Sequence, residues 1–363
     1  MTPCLVVLHF EGGALGSWAV SISSLFLALS AGGHVGREGP MVHLASCITA
    51  WLSGSYLRDL LPVAFASGVA ATFGAPVGGV LFSVEITARS IELWLMLLGS
   101  VVSAVAYQAL RTAIGVDVFL VELYAVTCNN IGILDMLLAC VLGACCGALA
   151  VLYIKLHVKC MNFQKMIRRK PVKAFACVAW FLLVEIFSRT TTCQGRPLWS
   201  SNLKTKLEDL LSASHLSVSP WAAVGSIPIT LTIFLLAESI IVLVTCTLPV
   251  SAGLFTPLFL LGAALGRLWG ELRFTFGQHP YNGRTGVICP AGWAAIGAAA
   301  FAGGATSTLS TVVVTLELTN NSTLAVPIAL AVLSSYGVVS TFSDSAYDEV
   351  GRVNHGEHYL SVV

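Results

Sequence analysis

Gly36-Arg37-Glu38-Gly39-Pro40 places a carboxylate at a helix start inside a chain that carries very little charge. Ala31-Gly32-Gly33 precedes it, and an apolar, small-residue run follows from Met41 to Leu52. Proline suits the first helical position because its missing N-H would be unpaired there, and glycine lets the backbone turn tightly and leaves neighbouring amides open. The stretch therefore predicts an anion-attracting helix N-terminus, worth about half a positive charge before any side chain counts. Glu38 falls where an anion would sit, as a tethered negative charge that competes with a free one. A carboxylate in the first turn of any helix is also favoured by the helix dipole, so the surrounding chain has to decide between the two readings.

Composition argues for a membrane. Hydrophobic residues make up 56% of the 363, charged residues only 10%, and the mean hydropathy is +0.85. Soluble domains carry about 25% charged residues, so this chain is expected to be an all-α, polytopic membrane protein. The net charge of +1 and the lack of a basic stripe interleaved with aromatics give no sign of nucleic-acid binding. Eleven cysteines lie mostly in apolar stretches without paired C-x-x-C spacing, so they read as small core residues, and no metal or cofactor is expected. An intramembrane protease is disfavoured because H-E-x-x-H is absent and no G-x-S-x-G serine has an evident histidine partner, so no enzyme is expected.

In chain order, apolar segments run from Trp18 to Leu29, Met41 to Leu52 and Leu60 to Val84, the last broken at Gly74-Ala75-Pro76. Several are shorter than the roughly 20 residues that a perpendicular span needs. Broken helices are tolerated in a bilayer where their freed backbone groups face protein or water, which points to a transport site at membrane depth. Longer spans are expected from Leu93 to Leu110 and from Met136 to Leu156. Lys155, Lys159, Lys165, Arg168, Arg169, Lys170 and Lys173 then crowd one connection, which the positive-inside rule makes cytoplasmic. Another span covers Ala174 to Phe187, the polar stretch Arg189 to Pro220 faces the opposite side, and apolar character resumes from Trp221 to Leu248.

The second half repeats the first. Ser251-Ala252-Gly253-Leu254-Phe255-Thr256-Pro257 and apolar Leu258 to Leu268 parallel the opening motif, and Gly303 to Glu317 echoes Gly74 to Glu85 as a small-residue opening, an apolar stretch and a terminal Glu. Opposed repeats would gather helix termini around one midplane site. Glu85 and Glu317 read as structural carboxylates bonded to backbone amides. Glu238, inside an apolar run, is given no role, and His34 and His43 read as packing histidines.

The motifs Gly36 to Pro40, Gly74 to Glu85, Gly253 to Pro257, Glu317-Leu318-Thr319 and Ala346-Tyr347-Asp348, in this order from about residue 17 to 350, resemble the CLC family of chloride channels and chloride/proton exchangers. The resemblance implies an inverted-repeat fold with short broken helices, repeat one at about 1–125 and repeat two at about 130–350, then a short tail at 351–363; eukaryotic members of the family usually also carry C-terminal paired nucleotide-binding (CBS) modules, and none is expected in this sequence. It implies Glu38 as gate and an anion site built from Gly36, Arg37, Glu38, Gly39, Gly253, Leu254 and Phe255 with the Tyr347 hydroxyl, in a multi-pass homodimer in the lipid bilayer that passes chloride or similar anions. Neutral amides and a hydroxyl suit conduction, which requires weak binding. Two departures stand out. The family's upstream Gly-Ser-Gly-Ile-Pro stretch is absent before Glu38, so the chain is expected to begin inside the first repeat, short of the first helices. Ile86 occupies the position where proton-coupled members carry a second Glu, which favours a channel, with an exchanger using a different proton relay as the alternative.

Overall fold

A computed structural model describes residues 14–30, 33–53, 57–87, 93–114, 131–167, 169–190, 192–193, 196–197, 203–212, 216, 221, 226–248, 250, 252–277 and 288–355. The described residues are almost wholly helical. The first group comprises α1 (Ala14–Ser30), α2 (Glu38–Ser53), α3 (Leu57–Phe73), α4 (Pro76–Thr87) and α5 (Leu93–Ile114). The second comprises α6 (Ile133–Met166), α7 (Lys170–Thr190), α8 (Leu203–Leu211), α9 (Ile227–Thr245), α10 (Phe255–Gly277), α11 (Pro290–Thr306), α12 (Thr311–Thr319), α13 (Ala325–Phe342) and α14 (Ala346–His355). Thr192–Cys193 and Arg196–Pro197 add a two-residue antiparallel ladder. Among the described residues, five helical stretches are long and apolar enough to cross a membrane, and α4 and Leu60–Phe73 are shorter apolar helices.

The centre is α11. All its residues are buried, as expected of a helix that is apolar on every side. It packs on α10 where Gly262 and Gly266 face Gly297 and Trp293, with no side chain to hold the backbones apart.

The two halves are joined twice by reciprocal contacts. Gly36 and Gly253 form an isolated antiparallel bridge, each amide donating to the other's carbonyl at 3.1 and 3.0 Å. Each glycine lies two residues before a helix, α2 or α10, and Pro40 and Pro257 are both third residues of those helices. Farther along, the Glu317 carboxylate at the end of α12 accepts from the amides of Val77 (3.1 Å) and Gly78 (2.7 Å) at the start of α4. The Glu85 carboxylate near the end of α4 accepts from the amides of Leu309 (3.0 Å) and Ser310 (3.1 Å), and from the Ser310 hydroxyl (2.6 Å), before α12. Glu85 follows Gly78, which Glu317 binds, by seven residues, and Glu317 follows Ser310, which Glu85 binds, by the same seven. Both carboxylates are therefore structural, as expected, but each caps the opposite repeat. Losing one N-terminal cap costs about 1 kcal/mol. Glu85→Ala and Glu317→Ala should lower stability by that amount each, and the two losses should match in a detergent unfolding titration; a loss at one position alone would break the symmetry.

The structure corrects several expectations. Pro40 is the third residue of α2, not the first, because the helix starts at Glu38 and its first bond runs from the Met41 amide to the Arg37 carbonyl at 3.0 Å. A third-residue amide is still without an intrahelical partner, so proline costs nothing there. Gly303 and Gly304 do not open the second broken helix. They lie within α11, where a Cβ on Gly304 would come within 3.0 Å of the Ser335 Cβ on α13. The break falls instead at Ser307, whose φ of 55° matches the 66° of Gly74. The basic connection from Lys155 to Lys173 is mostly helical: α6 runs on to Met166 and α7 begins at Lys170. Residues 155–166 contain neither glycine nor proline, and lysine, leucine, methionine and glutamine are good helix formers. The polar turn expected at Tyr56, Arg58 and Asp59 is displaced, because α3 already begins at Leu57; Tyr56 lies outside the described residues.

Much of the polar stretch from Arg189 to Pro220 lies outside the described residues, as do residues 1–13, 31–32 and 356–363. Within that stretch the sequence reading missed α8, whose Leu207, Leu210 and Leu211 are buried at helical spacing. Its Leu210 carbonyl, and that of Ser212 just beyond it, are held from α10: buried Arg267 donates to Leu210 O (3.1 Å) and Ser212 O (2.7 Å) while pairing with Glu271 at 3.0 Å.

Candidate functional site

The paired helix starts at α2 and α10 converge on one carboxylate. Glu38, the first residue of α2, reaches across the Gly36–Gly253 bridge to the N-terminus of α10 and is 6% exposed. Its Oε1 accepts from the Thr256 amide at 3.0 Å and its Oε2 from the Thr256 hydroxyl at 2.8 Å. The amides of Glu38 itself and of Phe255 also face the carboxylate. Donors from both halves, with two helix dipoles behind them, therefore point at a single negative group. The sequence placed Glu38 at the start of its own helix; the structure adds that the carboxylate caps the other repeat's helix too.

The close approach demands glycine on both sides. A Cβ on either Gly36 or Gly253 would overlap the Glu38 carboxylate, and one on Gly39 would lie 3.4 Å from the Gly253 Cα. Leu254 and Phe255 are buried, and the Phe255 ring meets Phe73 edge-on at 5.2 Å and stacks on Phe259 at 5.9 Å. Arg37 is half-buried.

Beside the carboxylate lies a cavity of about 150 Å³ lined by Glu38, Gly39, Phe73, Phe255, Ile86 and Tyr347, among others. Tyr347 reaches it from the first turn of α14. That turn is fixed by a capping arrangement in which the Ser345 hydroxyl donates to Asp348 at 2.7 Å and accepts from the Asp348 amide at 3.1 Å. The structure thus gathers Glu38, Gly39, Phe255, Tyr347 and Ile86 around one space, with Gly36 and Gly253 immediately behind the carboxylate. Leu254 and Arg37 flank the same loops without lining the cavity. Glu85 is turned away from it and engaged with α12.

A second polar cluster was not anticipated as a unit. His34, four residues before Glu38, sits with its Nδ1 2.8 Å from Glu238 Oε1, and the Lys206 ammonium is 3.3 Å from Glu238 Oε2 and 3.2 Å from His34 Nε2. All three are buried, and Lys206 also lies over the Phe234 ring at 5.6 Å. Three segments meet here: the stretch entering the Gly36 bridge, α8 and α9. The lone glutamate in an apolar run was the available signal, but nothing in the sequence pairs it with Lys206. Removing one partner of such a pair leaves a buried charge and costs about 3–5 kcal/mol. Lys206→Met should be destabilised by that order in detergent unfolding, and Lys206→Met with Glu238→Gln should recover at least half; an unimproved double variant would show that the cluster is not a charge pair. His43, by contrast, is half-buried on α2 with its Nε2 3.7 Å from the Cys47 sulfur.

Residues 8–340 match the family model described as voltage gated chloride channel. The chain is 28% identical over 368 residues to chloride channel protein 2 of Drosophila melanogaster, covering 91% of this chain and 31% of that one. It is 30% identical over 383 residues to chloride channel protein 2 of Mus musculus, with 93% and 42% covered. The chain thus spans less than half the length of these relatives. Among solved structures it resembles a eukaryotic CLC transporter, with a TM-score of 0.67, 28% identity and coverage of 91% of this chain and 55% of that one. A slow cyanobacterial Cl⁻/H⁺ antiporter shares the fold, with a TM-score of 0.71, 18% identity and coverage of 91% and 75%. The family match runs through both paired helix starts, and on it the chain belongs to the voltage gated chloride channel, or CLC, family.

Proposed function

We propose that this protein passes chloride, or a similar monovalent anion, passively across a membrane, and that Glu38 is the gate. The observation that carries the reading is the position of the Glu38 carboxylate, held by the Thr256 amide and hydroxyl at the start of α10 beside a cavity. A group that binds this carboxylate through neutral N-H and O-H donors can bind a chloride ion instead. When Glu38 takes a proton its charge is lost, its hold on the amides weakens, and an anion replaces it. The anion site would comprise the backbone at Gly36, Arg37, Glu38, Gly39, Gly253, Leu254 and Phe255 and the Tyr347 hydroxyl. The largely apolar cavity wall leaves these few donors to set affinity, which keeps binding weak enough for release. The protein would act as a homodimer with a pore in each subunit, each pore formed between repeats at about 1–125 and 130–350.

Passive conduction is favoured over proton exchange by two residues. Ile86 presents a hydrocarbon to the cavity, and a proton relay needs a titratable group. Glu85, its neighbour, is committed to the Leu309 and Ser310 amides and the Ser310 hydroxyl, and so is not free to substitute. Reconstitution into liposomes under a chloride gradient, with a pH-reporting dye inside, separates the two modes. The channel reading predicts anion efflux without uphill proton movement. Uphill proton movement that disappears in Glu38→Gln would make the protein an exchanger.

A further inference from the structure

The elbow between α6 and α7 carries a feature that anion passage does not use. No acidic residue occurs between Asp135 and Glu185, and seven lysines and arginines fall between 155 and 173. From Ile133 to Lys155, α6 rises about 33 Å, close to the roughly 30 Å of a bilayer's hydrocarbon core. The basic residues therefore begin where that core ends. Lys155, Lys159, Lys165 and Arg169 are exposed, and Lys173 is half-buried. Among the described residues none of the five forms an ion pair; Lys165 alone is engaged, donating to the Val353 carbonyl at the end of α14. Lys155 and Lys159 share one helix face, and exposed Leu152, Leu156 and Phe163 lie along the same side. Phe163, Met166 and Phe175 are 68%, 78% and 76% exposed around the turn. Such side chains, apolar bodies beside long cationic ones, suit the depth where acyl chains meet headgroups.

We infer that this elbow is a binding surface for anionic phospholipid headgroups of the cytoplasmic leaflet. Lys155, Lys159, Arg169 and Lys173 supply the charge, and Phe163, Met166 and Phe175 insert beside the acyl chains. Charge complementarity selects the occupant: a run of cations that form no ion pair among the described residues, in a stretch without a carboxylate from 136 to 184, lies at headgroup depth and faces the leaflet that carries the negative lipids. A basic segment that serves only to orient the chain during insertion needs no affinity for any lipid once folded. The surface proposed here has one.

The test uses the whole protein in mixed micelles, with thermal unfolding as the readout. Replacing part of the phosphatidylcholine by phosphatidylglycerol should raise the melting temperature by about 3–6 °C. The variant Lys155→Gln, Lys159→Gln, Arg169→Gln, Lys173→Gln should lose more than half of that rise, while its melting temperature in phosphatidylcholine alone stays near that of the parent. The three lysines changed to arginine should keep the rise, and 0.5 M salt should reduce it in the parent. An undiminished rise in the glutamine variant would overturn the proposal. So would an equal rise produced by soluble glycerol phosphate, which would make the ligand a free phosphate and not a membrane lipid. Should the fourfold variant not fold, the pair Lys155→Gln and Lys159→Gln is measured instead, and a rise equal to that of the parent overturns the proposal in the same way.

Discussion

Glu38→Gln is expected to raise chloride efflux from liposomes about tenfold at neutral pH, the gain for a site whose own carboxylate blocks it nine-tenths of the time. Glutamine has the shape of the protonated acid and cannot regain the charge that competes with an anion. The sign of the pH dependence follows. In the parent, acid neutralises Glu38 and opens the path, so efflux should climb as pH falls. In Glu38→Gln the profile should be flat, and current through the open pore should lose most of its voltage dependence. A variant whose efflux tracks pH as the parent's does would remove Glu38 from the gate.

Gly253→Val is expected to cut efflux about ten- to a hundredfold. A side chain there must displace the Glu38 carboxylate or the backbone beneath it, and overpacking of this kind costs about 1–3 kcal/mol, a factor of ten for each 1.4. Leu254→Val, which trims a buried side chain without entering the bridge, should be mild. The clash also predicts its own relief. Because the added Cβ meets the Glu38 carboxylate, Gly253→Val combined with Glu38→Ala should conduct better than Gly253→Val alone. Equal tolerance at positions 253 and 254, or no relief in the double variant, would mean that the start of α10 does not face the anion path.

The parts of the fold that were legible in the sequence are those set by local composition. Gly74-Ala75-Pro76 announced the break between α3 and α4 because a positive φ and a helix-starting proline are local demands. The likeness of Gly36 to Pro40 and Gly253 to Pro257 marked two equivalent helix starts, and the structure joins them through the Gly36–Gly253 bridge. The sequence could not say which glycines serve the backbone and which serve packing. Gly303 and Gly304 read like a helix opening, yet they allow α11 to approach α13, a use that depends on a helix placed later in the chain. Nor could it say where a carboxylate's partners lie. Glu38, Glu85 and Glu317 all bond to groups more than two hundred residues away. The His34, Lys206 and Glu238 cluster escaped for the same reason: three isolated polar residues become one unit only when α8 and α9 close over the segment before Glu38.

Competition between the Glu38 carboxylate and a free anion for the N-terminus of α10 is the centre of this account, and calorimetric titration of chloride into the purified protein tests it most directly. If the two compete, Glu38→Gln should bind chloride about tenfold more tightly than the parent at neutral pH, and the parent should approach the variant's affinity as the solution is acidified. Equal affinities for parent and variant at every pH would contradict it.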